Sequence, residues 1–346
     1  MRDLDSYKSY LFDAVTKLLN TPSPTGYYKE VMPLLKTMAE EVGAKFELTN
    51  KGCAVLTVEG KTDGYLGACA HTDTLGAMVR SIDSKGGLCF TVLGGPQLPT
   101  LDGEYCTVIT RDGKKFTGTI LCKSPSSHVY PDAKSRPRDD ANMYVRLDEV
   151  VKNADDVKKL GINSGDYICI DTKTVVTPSG YLKSRFIDDK ASVACILTAF
   201  KYIKDNKIEL KHGFKALITM YEEVGHGAAF VPDGLIKMLA VDMGCIGLDL
   251  NCTEHDVSIC AKDGGGPYDY DFTNQLIDHA KRLNLKYAVD VYPFYGSDVG
   301  AMWRGGNDIV GALVGTGVHA SHGMERTHYD GLKNTTALIL AYLGVL

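Results

Sequence analysis

Two kinds of residue spacing alternate along this chain of 346 residues, and the switch between them limits the folds open to it. Up to Asp73 the order is helix, helix, strand, strand. Leu4, Tyr7, Leu11, Val15, Leu18 and Leu19 recur at helical spacing until TPSPTG stops them, and a second amphipathic stretch covers 28–42. CAVLTVEG and YLGACAHTD then read as strands. From Met78 to Thr177 the chain carries short β-rich runs, among them LCFTVLGG, YCTVITRDG, FTGTILCKS and DYICIDTKTVV, with one helix expected over 147–160. FTVLGGPQLPTLDG and ITRDGKKFTGTI read as consecutive hairpins. From about Arg185 the alternation returns, with helices expected over 190–206, near Phe230, over 272–283 and 299–304, and from Gly331. Strands are expected over 213–220 and 236–241, and at VSICA, LKYAVDV and DIVGALV. This order predicts an α/β fold with a mixed, largely parallel sheet and helices on both faces. It is interrupted by an inserted small β-barrel domain, for which a sandwich is the alternative. The catalytic α/β domain is expected over 1–73 and 180–346, and the β-rich insert over 74–179.

Composition excludes several classes of function. The formal net charge is −5 and no basic stripe appears, so nucleic acid is not an expected partner. No run of about 18 apolar residues is present, so no membrane partner is expected either. The start, MRDLDSYKSYLFDAV, lacks the apolar centre and cleavage site of an export signal, and a cytoplasmic location is expected. The ten cysteines sit mostly inside apolar strand-like runs and form no Cys-x-x-Cys pair, which suits buried free thiols in a reducing compartment.

Chemistry is suggested by what stands at the ends of the expected strands. The run 214–220 stops at Glu222 and Glu223, two carboxylates that repel one another. His71 and Asp73 close LGACAHTD, Asp188 and Asp189 stand in RFIDDK ahead of a helix, Asp242 closes IKMLAVD, and His322 lies in HASHGMERTH. Each has a bland reading as a helix cap or a solvated loop residue. Together they gather at one layer of an α/β sheet, where functional groups collect, and their repulsion needs an offset. Divalent cations with imidazole and carboxylate ligands supply one. A two-metal hydrolytic site needs a bridging carboxylate, terminal ligands for each ion, and a base that is not a ligand. Adjacent glutamates can serve as ligand and base, because successive side chains leave an extended backbone in different directions.

The blocks AHTDTLG (70–76), RFIDDK (185–190), YEEVG (221–225), AVDMG (240–244), GSDVG (296–300) and SHGMERTH (321–328), with TPSPTG (21–26) before them, resemble in order those of the glutamyl or deblocking aminopeptidases, which include the tetrahedral (TET) enzymes. The resemblance implies two divalent metal ions per subunit, zinc first, with cobalt or manganese as alternatives. It implies Asp188 as the bridge, His71 and Asp242 as ligands of one ion, and Glu223 and His322 as ligands of the other. Glu222 is implied as the general base that activates a metal-bridging water, and Asp73 as the partner that orients the His71 imidazole. Asp298 is implied as a further outer or helix-capping residue. Asp249 is the alternative to Asp242, and His319 and His328 are the alternatives to His322. The bridging block departs from the commoner Asp-Asn-Arg, reading Asp188-Asp189-Lys190, and points to a divergent branch.

The implied function is removal of N-terminal residues from peptides with a free N-terminus. Homo-oligomers built from dimers, up to dodecamers, are implied through the β-rich insert. A metal amidase or deacylase acting on a non-peptide amide is the alternative. A glycan hydrolase fits less well, since adjacent Glu222 and Glu223 would not flank a glycosidic bond and the histidines would have no role. A binding protein with a dead site would have lost the base or the bridge, and both are present.

Overall fold

The protein is described from a computed structural model covering residues 3–346. After a 3-10 turn at Leu4–Tyr7, helix α1 (Lys8–Leu19) buries Leu11, Ala14, Val15, Leu18 and Leu19, the periodic set of the sequence. Helix α2 (Val31–Glu41) starts later than the amphipathic pattern and carries Pro33 in its first turn, where a missing N–H breaks no intrahelical bond. Strands β1 (Lys45–Leu48), β2 (Ala54–Val58) and β3 (Thr62–His71) follow.

Two compact units are present. Thr74–Thr172 forms one, in which β4 (Gly76–Ile82), β5 (Leu88–Leu93), β6 (Tyr105–Ile109), β7 (Lys115–Cys122), β8 (Met143–Leu147) and β9 (Tyr167–Ile170) close into a barrel of order β4-β5-β8-β7-β6-β9. Alternate residues fill it: Met143, Val145 and Leu147 are buried in β8 while Arg146 is exposed. The hairpin expected at ITRDGKKFTGTI is β6–β7. The one expected at FTVLGGPQLPTLDG does not form. β5 pairs with β4 and β8, because the 3-10 turn Leu98–Leu101 carries the chain away before β6 begins. The helix expected over 147–160 shrinks to α3 (Ala154–Leu160), since Leu147 ends β8 and Asn153 caps the helix through the Asp155 and Asp156 amides.

The other unit resumes at Lys173, earlier than the expected boundary at 180. β10 (Val175–Val176) pairs with β11 (Tyr181–Ser184), which pairs with a late strand of this unit, so the backbone hydrogen bonds tie 175–184 to it. The unit continues through α4 (Ile187–Asp205), β12 (His212–Thr219), β13 (Leu235–Val241), β14 (Gly244–Cys245), β15 (Val257–Asp263), β16 (Gly266–Pro267), α5 (Tyr270–Arg282), β17 (Tyr287–Val291), α6 (Asp298–Arg304), β18 (Val310–Val318), β19 (Glu325–His328) and α7 (Tyr329–Tyr342). Its main sheet has the order β1-β2-β12-β3-β13-β18-β15-β16, with β17 beside β15. β12, β3, β13 and β18 run parallel at the centre, and β2 and β15 flank them antiparallel. Gly311 in β18 faces Val299 and Trp303 of α6, whereas Thr316 faces Gly331 of α7. Residues an odd number apart on a strand point to opposite faces, so helices cover both. The helix expected near Phe230 is absent. Two 3-10 turns, Glu222–Val224 and Gly227–Ala229, occupy the crossover, and Phe230 after them is extended.

All ten cysteines are free, most of them buried. Among the described residues no helix is long and apolar enough to cross a membrane. Lys190 is buried, with its ammonium donating to the carbonyls of Leu18 and Thr21 at 2.8 Å each, which ties α4 to the end of α1. Lys190→Met leaves the buried Leu18 carbonyl and the half-buried Thr21 carbonyl without that donor. It is expected to cost about 2 kcal/mol of stability, measurable as a lower urea midpoint at an unchanged denaturant slope.

Candidate metal centre

Each chemically interesting side chain stands at the carboxyl end of a central parallel strand or in the loop beyond it. His71 is the last residue of β3, Glu222 and Glu223 open the turn after β12, Asp242 follows β13, and His322 lies between β18 and β19. Asp188 and Asp189 precede the regular part of α4. Their φ/ψ values (−69°, 104° and −123°, 20°) are not helical, the peptide between them is cis, and Phe186 before them is left-handed at φ 65°. The Asp188 side chain turns to imidazoles rather than to the amides of α4, so it does not act as a simple helix cap.

These elements bring the expected residues together. Asp188 turns its two oxygens to different imidazoles, Oδ1 lying 3.2 Å from His71 Nε2 and Oδ2 3.6 Å from His322 Nε2. His322 Nε2 is also 3.7 Å from Glu223 Oε2, and His71 Nε2 is 3.7 Å from Glu222 Oε2. Two groups of side chains could hold an ion here: His71, Asp188 and Glu223, and His71, Asp189 and Asp242, with ligand atoms within 4.8 Å of one another in each group. Of the alternatives, Asp249 and His319 are exposed. His328 caps α7 by accepting from the Asp330 amide and packs on His255.

Asp73 is placed differently from the simple histidine-orienting role. The nearest partner of His71 Nδ1 is the Asp73 backbone carbonyl at 2.9 Å, and the carboxylate is 3.6 Å away. That carboxylate instead accepts from the backbone amides of Glu222 (3.2 Å) and Glu223 (3.3 Å) and from Thr25 Oγ1 (2.9 Å), so it sets the turn that presents both glutamates. Asp298 holds the other end of this turn. It accepts from Thr219 Oγ1 at 2.5 Å and from the Ala228 amide at 2.8 Å. Gly315 of β18 lies against the Asp242 carbonyl so closely that a Cβ there would collide with it.

Two buried carboxylates take positions to which the sequence reading assigned no role: Glu325, and Asp189, named there only as half of the Asp-Asp pair. Glu325 accepts from the amides of His322 and Asp188, each at 3.0 Å, and joins the last loop to the start of α4. Asp189 accepts from the His71 amide at 3.2 Å. The signal for both was present as an acidic residue within a candidate block, and what was missing was its direction.

Burial dominates the electrostatics. It pushes Asp189, Glu222 and Glu223 well above the ordinary carboxylate range, and with the Asp188 charge it raises Asp242 to about 7 and Glu325 to about 8. Burial acts the same way on Asp188, but hydrogen bonds from His322 and His71 hold it low. Burial works against a charged His71, yet Asp188 and the surrounding Glu222, Asp73 and Asp242 raise it. A cluster of this kind calls for positive charge.

A family profile described as M42 glutamyl aminopeptidase matches residues 52–338. The chain belongs to the M42 glutamyl aminopeptidase family. It is an aminopeptidase, a hydrolase of peptide bonds, and M42 peptidases are metallopeptidases. A Bacillus subtilis relative named "Putative aminopeptidase YhfE" is 40% identical over 333 residues, covering 96% of each chain. Two solved structures share the fold. The TET aminopeptidase of a marine sediment Thaumarchaeota archaeon superposes with a TM-score of 0.86 at 19% identity, covering 96% of each chain. The Pyrococcus horikoshii TET1 peptidase, described as able to assemble into a tetrahedron or a large octahedral shell, gives 0.84 at 21% identity, covering 96% of this chain and 99% of its own.

Proposed function

We propose that this M42 chain is a dinuclear metal-dependent aminopeptidase that removes N-terminal residues from peptides, with Glu222 as general base. The observation that carries this reading is the Asp188 carboxylate, with one oxygen toward His71 and the other toward His322. His71 and Asp242 would hold one ion, Glu223 and His322 the other, and Asp188 would lie between them. The donor set fits such ions. It consists of carboxylate oxygens and imidazole nitrogens, and Glu223 Oε1 is buried without a hydrogen-bond partner. Two divalent ions, zinc first with cobalt or manganese as alternatives, would supply Lewis-acid charge to the scissile carbonyl and acidify the attacking water.

The chain's own residues do the rest. Glu222 accepts the proton of the attacking water and returns it to the leaving amine. Asp73 fixes Glu222 and Glu223 through their backbone amides, so base and ligand keep a constant spacing. The Asp73 carbonyl at His71 Nδ1 selects the tautomer whose Nε2 faces Asp188. Peptides with a free N-terminus are the proposed substrates. A dimer-based homo-oligomer of up to twelve chains, as the TET relatives suggest, and a cytoplasmic location complete the proposal.

The test is hydrolysis of aminoacyl-4-nitroanilides and their N-acetylated counterparts by metal-stripped protein given back zinc, cobalt or manganese. Metal-dependent cleavage confined to free amines is expected. Activity on acylated amides alone would favour a deacylase, and activity on glycans a glycosidase.

A further inference from the structure

Lys190 and Asp188, the neighbours of Asp189, both have evident occupations: the lysine holds carbonyls at the end of α1, and Asp188 faces two imidazoles. Asp189 does not. It is fully buried at 0% exposure, its Oδ2 accepts from the His71 amide, and its Oδ1 has no hydrogen-bond partner. The Ser192 hydroxyl, one turn along α4, lowers the Asp189 pKa as a weak hydrogen-bond donor, yet neither that hydroxyl nor Oδ1 completes a hydrogen bond of normal geometry. An unpaired oxygen of a buried carboxylate is costly unless something positive meets it. Ligand atoms of His71, Asp189 and Asp242 lie within 4.8 Å of one another, a spacing that one cation can span.

We infer that Asp189 is a further ligand at the metal position of His71 and Asp242, converting it into a carboxylate-rich site selective for a hard divalent cation. The inference rests on the dinuclear reading above. With Asp188 shared, this position has three carboxylates and one imidazole, whereas the other has Asp188, Glu223 and His322. Oxygen-rich, more anionic ligand sets favour manganese over zinc relative to sets with proportionally more nitrogen. The two positions are therefore unequal, one suited to manganese and the other to zinc.

Asp189→Asn separates this role from support of the strand end, because the amide oxygen can still accept from the His71 N–H. Manganese and zinc would each be titrated calorimetrically into metal-free wild-type and variant protein, with cobalt absorption recorded alongside. Two ions per wild-type chain are expected. In the variant, manganese affinity at one position should fall by more than about 100-fold, beyond the usual effect of an outer partner, with a smaller fall for zinc and a changed cobalt band. Unchanged manganese affinity would overturn the inference. So would an equal loss for both metals with an unchanged cobalt spectrum, which would mean that Asp189 acts only through His71. Should the variant fold poorly, the wild type still decides. There the ratio of manganese to zinc affinity should be higher at one position than at the other, and equal ratios at both would reject Asp189 as a ligand. Uptake of a single ion by the wild type would instead remove the dinuclear reading itself.

Discussion

Glu222→Gln is expected to lower kcat on an aminoacyl-4-nitroanilide by about 10²–10⁴-fold while leaving metal content unchanged. Glutamine matches the size of the glutamate and keeps the backbone amide that Asp73 accepts from, so the turn has no reason to move. What disappears is a carboxylate able to take a proton. Glu222 is also absent from the two groups around His71 whose ligand atoms lie close enough to share an ion. Metal loss is therefore not the expected route to inactivity. Plasma mass spectrometry of the purified variant checks retention, and the nitroanilide assay checks the rate. A variant within tenfold of wild type, with its metals in place, would move the base to another residue.

Asp188→Asn should act on binding as well as on rate. This carboxylate meets both imidazoles, so its loss is expected to weaken both metal positions. kcat/KM should fall by more than about 100-fold, the upper range for loss of an outer partner. Stability gives the sharper signature. In metal-free protein the substitution removes one of several buried negative charges, and Asp242 and Glu325 are both raised by that charge. It also removes the charged acceptor that His71 and His322 hold low, so the metal-free variant should be somewhat less stable than wild type near neutral pH. Saturating metal stabilises a folded protein by about 2.7 kcal/mol at one hundred times Kd, and the variant should forgo most of that gain. Thermal unfolding with and without zinc measures both quantities. An Asp188→Asn protein that kept the full metal-induced shift would exclude Asp188 as the bridge.

Much of the architecture was legible because it is written in local periodicity. The α1 face of Leu11, Val15, Leu18 and Leu19 follows from a 3.6-residue repeat, and the apolar run of β12 from burial on both sides of a parallel sheet. Failures occurred where long-range contacts outweigh local preference. The stretch near Phe230 has residues compatible with a helix, yet Asp298 draws the Ala228 amide toward α6 and the crossover becomes two short turns. The pairing of β5 with β8 rather than β6 joins segments on either side of the β6–β7 hairpin, and no local pattern encodes such a partner.

By itself the sequence determined the kinds of group available at the strand ends and their order: two histidines, the Asp-Asp and Glu-Glu pairs, and Asp242. Only the tertiary structure decided which of them meet. His322 and His328 are six residues apart in similar company, but β19 places one beside Asp188 and the other at the start of α7. Asp189 was visible as half of a pair, and its approach to His71 required β3 and α4 to be packed together. The physical reason is that residue type sets what a side chain can bind, whereas convergence depends on strand order and on the loops that the core holds in place.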